Sequence, residues 1–151
     1  MSDLIGYKLT EVGTTELFEQ GKEISVPNGN VYKYVKASGT VAASDAVLIE
    51  DDFTVAALTT TNAGSAPTWV GIAQAAMTAN QFGWVLISGT GTVNVLASCA
   101  TDVKLYTTAT AGALDDTATT LVSGIKISAT NGGATAAVAC FIATRAGCNM
   151  Q

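Results

Sequence analysis

"QFGWVLISGTGTVNV", residues 81–95, decides how this chain is read, because it sets Trp84 and a run of large aliphatic residues against three glycines. Such a stretch is either a loop that cradles phosphate or the turn of a β-hairpin. Gly89 and Gly91 have the spacing of the first two glycines of a dinucleotide fingerprint. That fingerprint needs a third glycine where Asn94 stands, and then a helix whose N-terminal amides meet the anion. Thr92, Val93 and Val95 continue instead as a strand, so the stretch predicts a hairpin with strands at 83–88 and 92–97. Alternation sends Trp84 and Leu86 to one face and Val85 and Ile87 to the other. The strand is therefore either buried on both faces inside the subunit or meets a second copy of the chain along one of them.

The flanking sequence has the same character. "VYKYVKA" at 31–37 follows the turn signal "PNGN" and places Tyr32 and Tyr34 opposite Val31 and Val35. Further short strands are expected at "AVLIE" (46–50), "FTVAALT" (53–59), "TWVGIAQA" (68–75), "VKLYTT" (103–108), "SGIKISA" (123–129, with Ile125 and Ile127 inward and Lys126 outward) and "ATAAVACFIAT" (134–144). "AAMTANQ" at 75–81 reads as one helical turn or a wide loop. Turn signals every 8 to 12 residues predict an all-β fold, a small β-barrel or β-sandwich of about eight short strands. "LTTTNAG" (58–64) echoes "YTTATAG" (106–112) without a fixed period, which is repeated turn chemistry and not a solenoid. Residues 1–24 differ: they are rich in carboxylates, weakly periodic and interrupted by Gly6, Gly13 and Gly21. They read as an extended N-terminal arm with one short helix candidate, "TTELFEQG", ahead of a body at 25–151.

Composition excludes several functions. Charged residues make up 13% of the 151 and the net charge is −5, with no basic stripe to neutralise phosphates, so direct nucleic-acid binding is not expected. No apolar run approaches the ~20 residues of a membrane-spanning helix, and the carboxylates near the N-terminus do not suit a signal peptide. Synthesis in the cytoplasm is the expectation. With no histidine in the chain, Ser-His and Cys-His dyads are impossible, and no enzyme activity or cofactor is predicted. Cys99, Cys140 and Cys148 fit no metal-ligand spacing and read as reduced, buried thiols; a Cys140–Cys148 disulfide stays open. The pairs Asp51–Asp52 and Asp115–Asp116 read as solvated turns with adjacent side chains pointing apart, and a weak calcium site is the alternative.

"VYKYVKASGTVAASDAVLIEDDFTV", "VGIAQ" and "FGWVLISG" through "LYTTATAG" resemble the capsid decoration, or cement, proteins of tailed bacteriophages, over roughly residues 27–118. The resemblance implies a non-enzymatic virion protein on the capsid exterior. It would bind the major capsid protein, as a homotrimer, and hold the shell against genome pressure, with terminal arms reaching over neighbouring capsomers. On that reading Leu4, Ile5, Tyr7, Leu9, Leu17 and Phe18 dock on capsid, and Tyr32, Tyr34, Trp84, Leu86 and Ile87 fill the core or the subunit contact. The competing reading is a tail- or fibre-associated module for a host-surface ligand, with Trp69 and Trp84 stacking sugars and loops 59–67 and 107–118 adding polar contacts.

Overall fold

A computed structural model describes residues 7–117 and 119–149. The expected all-β fold is found, with ten strands among the described residues in place of about eight. In chain order they are β1 (Glu23–Ser25), β2 (Val31–Ala37), β3 (Ala46–Ile49), β4 (Thr54–Ala57), β5 (Thr68–Ala73), β6 (Phe82–Val95), β7 (Leu105–Thr107), β8 (Leu114–Asp115), β9 (Leu121–Ile127) and β10 (Ala136–Cys148). Among the described residues one short helix, α1 (Thr60–Ala63), sits in the loop expected at 59–67, closed by a capping box between Thr59 and Asn62. The helix candidate at 14–21 is not helical: Leu17 and Phe18 are its only large apolar residues, too few to hold so short a helix by packing, and the segment runs as bends and turns.

All ten strands belong to one hydrogen-bonded sheet that folds back on itself. Pairings run from β2 to β4, β3, β5 and β6 and return to β2. A second circuit runs from β6 to β8, β7, β9 and β10 and returns to β6. Only β1 has a single strand partner among these elements. Alternation divides the apolar residues accordingly. Val35, Val47, Val55, Ala73, Met77 and Val85 form one cluster, and Tyr32, Tyr34, Leu48, Ile72, Trp84 and Leu86 belong to a larger one on the opposite faces of the same strands.

The opening stretch is not a hairpin. Residues 82–95 are a single fourteen-residue strand, β6, which changes partner partway along. Phe82 to Ser88 pair with β2, and Gly89 to Val95 pair with β10. Gly89, at φ +120°, marks the change. There the Asn30 side chain takes the place of a strand backbone: its Nδ2 donates to the Thr90 carbonyl (2.8 Å) and its Oδ1 accepts from the Thr90 N–H (2.9 Å). A Cβ at position 89 would land on the Asn30 amide, with Cγ 2.7 Å away, so glycine is required by this close approach as well as by its φ.

Two more buried polar side chains hold the rest of β6. Asp45 accepts from the Asn94 amide (2.8 Å) and the Ala42 N–H (2.9 Å). Asn131 donates to the Val95, Leu96 and Ala134 carbonyls. "MTANQ" is not a helical turn; it lies in the loop between β5 and β6 and copies the corner made by "VAASD". Val41 and Met77 are buried and exchange both backbone hydrogen bonds. Three residues later Ser44 and Asn80 both take φ +68°, and Asp45 and Gln81 each accept from the N–H three positions back.

Candidate functional site

The N-terminal segment, where described, is part of the body. Gly13 exchanges backbone hydrogen bonds with Phe82, and Gly21 and Lys22 bond to Tyr34. Leu9 is 3% exposed. Tyr7 stacks on Phe18 with ring centroids 5.0 Å apart, and both pack against Trp84, at 5.9 and 5.5 Å. Tyr34 completes the cluster 5.0 Å from Trp84. Its hydroxyl accepts from the Leu17 N–H, and burial pushes its pKa up. Tyr7, Leu9 and Phe18, expected to dock on capsid, pack instead on the subunit's own apolar cluster, the two aromatic residues directly against Trp84. Leu17 stays exposed. Leu4 and Ile5 lie outside the described residues.

Tyr32, Tyr34, Trp84 and Leu86 lie inside the subunit, and Ile87 is half-buried against the smaller cluster. Trp84, at 2% exposure, cannot stack a sugar. That removes half of the expected aromatic platform. Trp69 is different: it is 45% exposed and lines a cleft of about 310 Å³ with Glu23, Lys33, Ile87, Thr144 and Arg145.

A second, shallower and larger groove of about 520 Å³ lies over β9 and β10, beside residues 102–104. Phe141 and Val103 rise exposed from it, Ile125 and Val122 form its apolar floor, and the Lys126–Asp102 ion pair (3.2 Å) crosses it. It presents apolar surface without converging polar groups, the character of a protein contact more than of a reaction site.

The thiols offer little chemistry. Cys99, Cys140 and Cys148 are free and buried, which answers the open question of a disulfide. Burial pushes Cys99 and Cys140 up to about 11, and Cys148 in the same direction, so the nucleophilic thiolate is scarce at neutral pH. Asp115 and Asp116 do not point apart in solvent. Both are half-buried, their carboxylates gather with the Cys99 sulfur within 4.8 Å of one another, and Asp116 accepts from the Ala100 N–H. A protonated thiol and a carboxylate already engaged by backbone make a poor cation cage.

Asn30, Asp45 and Asn131 are the polar residues that the sequence reading missed. In sequence, "PNGN" and "NGG" look like ordinary turns. The signal available for Asn30 was its place directly beside a strand, whereas Asn131 stands clear of both β9 and β10.

No family model, no curated protein and no solved structure matches this chain.

Proposed function

We propose that this chain is a structural protein of a tailed-phage particle that binds the outside of the assembled capsid and stabilises the shell. The observation that carries the reading is the groove beneath Phe141 and Val103: two large apolar side chains, 46% and 40% exposed, over an apolar floor on an otherwise Thr- and Ala-rich surface. An aromatic residue standing above such a floor is the usual anchor of a protein contact. Its occupant on this reading is an apolar segment of the major capsid protein. The resemblance over residues 27–118 points the same way.

The mechanism needs no reacting group. A protein that binds the expanded shell and not its loosened form shifts the equilibrium toward the expanded form by mass action. Joining three copies makes several weak contacts act together, with a gain in avidity of roughly two to four orders of magnitude. The subunit seam cannot use Trp84, Leu86 or the paired tyrosines, which are inside the subunit, so it draws on exposed apolar residues such as Leu17.

The test is a pair of charge substitutions, Phe141→Asp and Val103→Asp, in chains shown to unfold at the wild-type midpoint. Both should lose the ability to protect purified heads against heat. Undiminished protection refutes the groove as capsid contact. A virion copy number that matches a tail tip, and not the capsomers of the shell, refutes the cement reading altogether.

A further inference from the structure

The Trp69 cleft shares no lining residue with the Phe141 groove, and three features point to a ligand of its own. The first is its cations. Lys33 lies 5.4 Å from the Trp69 ring centroid and 5.1 Å from that of Phe53. The chain's one arginine, Arg145, is exposed at the rim. Among the described residues neither has a carboxylate within ion-pairing distance, although Glu23 is the cross-strand neighbour of Lys33. In a chain of net charge −5, one cleft therefore holds two cations without salt-bridge partners.

The second feature is how Arg145 is presented. β10 advances from Ile142 to Gly147 while β9 advances only from Ile125 to Ser123, so β10 bulges there. At the bulge Arg145 adopts φ +64°, a left-handed backbone that is unfavourable for a residue with a Cβ. Bulges of this kind re-aim a side chain, and strained residues concentrate where a ligand is held. The third is the mixture of partners: an exposed indole, the acceptor-only carboxylate of Glu23 and the hydroxyl of Thr144 beside the two cations.

We propose that this cleft binds an acidic saccharide. A pyranose ring lays its C–H face on the Trp69 indole, its carboxylate meets Arg145 and Lys33, and its hydroxyls donate to Glu23 and exchange hydrogen bonds with Thr144. Arginine suits the carboxylate because its planar fork matches two oxygens at once. Glu23 favours a sugar acid over an acidic peptide, since hydroxyl groups can donate to it whereas further carboxylates are repelled. A volume of about 310 Å³ lies at the low end of ligand clefts, ~300–1,000 Å³, and suits one or two sugar rings.

The experiment titrates the full chain with trigalacturonate, sialyllactose, neutral lactose and an Asp/Glu hexapeptide, followed by calorimetry and by the tryptophan indole N–H resonances. At least one acidic saccharide should bind ~10-fold or more tightly than lactose and shift one indole resonance, that of Trp69. Trp69→Ala should abolish binding, and Arg145→Asn, chosen because asparagine tolerates the left-handed backbone, should remove the preference for the acid. Raising the salt concentration should weaken the acid and leave lactose unchanged. Three results overturn the proposal: no binding by either acidic saccharide, binding that survives both substitutions, or tighter binding of the hexapeptide. None of them bears on head protection, so this site and the capsid reading fail separately.

Discussion

Gly89→Ala tests the change of partner in β6 most directly. The added Cβ would collide with the Asn30 amide, whose Cγ would lie 2.7 Å away, and would break both hydrogen bonds between Asn30 and Thr90. Two such bonds contribute about 0.5–1.5 kcal/mol each, and an amide left unpaired in the interior costs about 1–3 kcal/mol more. The positive φ adds strain of about 1–3 kcal/mol. These effects overlap, so a loss of roughly 3–5 kcal/mol is expected, against a total of about 5–15 kcal/mol for a domain. At about 2–4 °C per kcal/mol for a chain of this size, the melting temperature should fall by roughly 6–20 °C.

Urea and thermal unfolding followed by circular dichroism measure it, with two glycine controls. Gly29, at φ +91° with nothing within 4 Å of a Cβ, carries the backbone strain alone. Gly132, with open space around its Cβ, should be close to neutral. The decisive measurement is the double-mutant cycle with Asn30→Ala. Once the amide is gone there are no hydrogen bonds left for the alanine to break, so the two losses should be sub-additive by at least ~1 kcal/mol. In a hairpin the two positions have no contact and the losses add. Additivity within ~0.5 kcal/mol, the usual result for independent sites, would refute the clasp.

Removing residues 1–20 uncovers Trp84 and should cost at least ~3 kcal/mol through the lost burial of Tyr7, Leu9 and Phe18; a truncated chain as stable as the full one contradicts the packing described. Asn131→Ala should cost ~2–4 kcal/mol, since it strips three carbonyls of their donor, and a midpoint within error of wild type would show the node to be dispensable. The thiols should be silent to Ellman's reagent in the native protein at pH 8 and all three should react on unfolding. Because burial raises Cys99 and Cys140 from about 9 to about 11, the unfolded chain ionises first. Their contribution to stability is whole below pH 9 and falls as pH rises toward 11. Substituting both by serine should flatten that part of the pH profile, and an unchanged slope would assign it to other groups.

The sequence carried the all-β class and the strand faces because both follow from period-two alternation: Ile125 and Ile127 turn in, Lys126 turns out, and the tyrosines of β2 oppose its valines. What stayed hidden depended on contacts distant in sequence. Gly89 meets an asparagine that lies 59 positions earlier, so the local pattern around it matched a turn equally well. Tyr7, Leu9 and Phe18 sit among carboxylates and glycines, and the cluster they join is built from Tyr34 and Trp84 on strands distant in sequence. Of the candidate sites, the sequence pointed to Trp69 as a platform but not to Arg145 beside it, since the bulge that aims Arg145 is a mismatch between two strands and leaves no mark in either one. Phe141 lay in a strand read only as apolar, with no sign of which residues would face out.

The closure of the sheet bears on how this subunit can associate at all. A strand with unpaired N–H and C=O groups is a template for another chain; among the described elements only the three-residue β1 has a single strand partner. Side chains are the other means of recruiting a partner, and among the described residues the large apolar ones that remain exposed are Leu17, Trp69, Val103 and Phe141. Phe141 and Val103 share a groove, and Trp69 has cations for neighbours. Leu17 stands with Phe18 beside Tyr34 and Trp84. Leu17→Asp, at 55% exposure, should consequently leave stability within ~0.5 kcal/mol of wild type, while lowering the oligomer seen by sedimentation if the N-terminal segment forms the seam. An unchanged oligomer in Leu17→Asp, with dissociation in Phe141→Asp, would move the seam to the groove and leave the capsid without that contact.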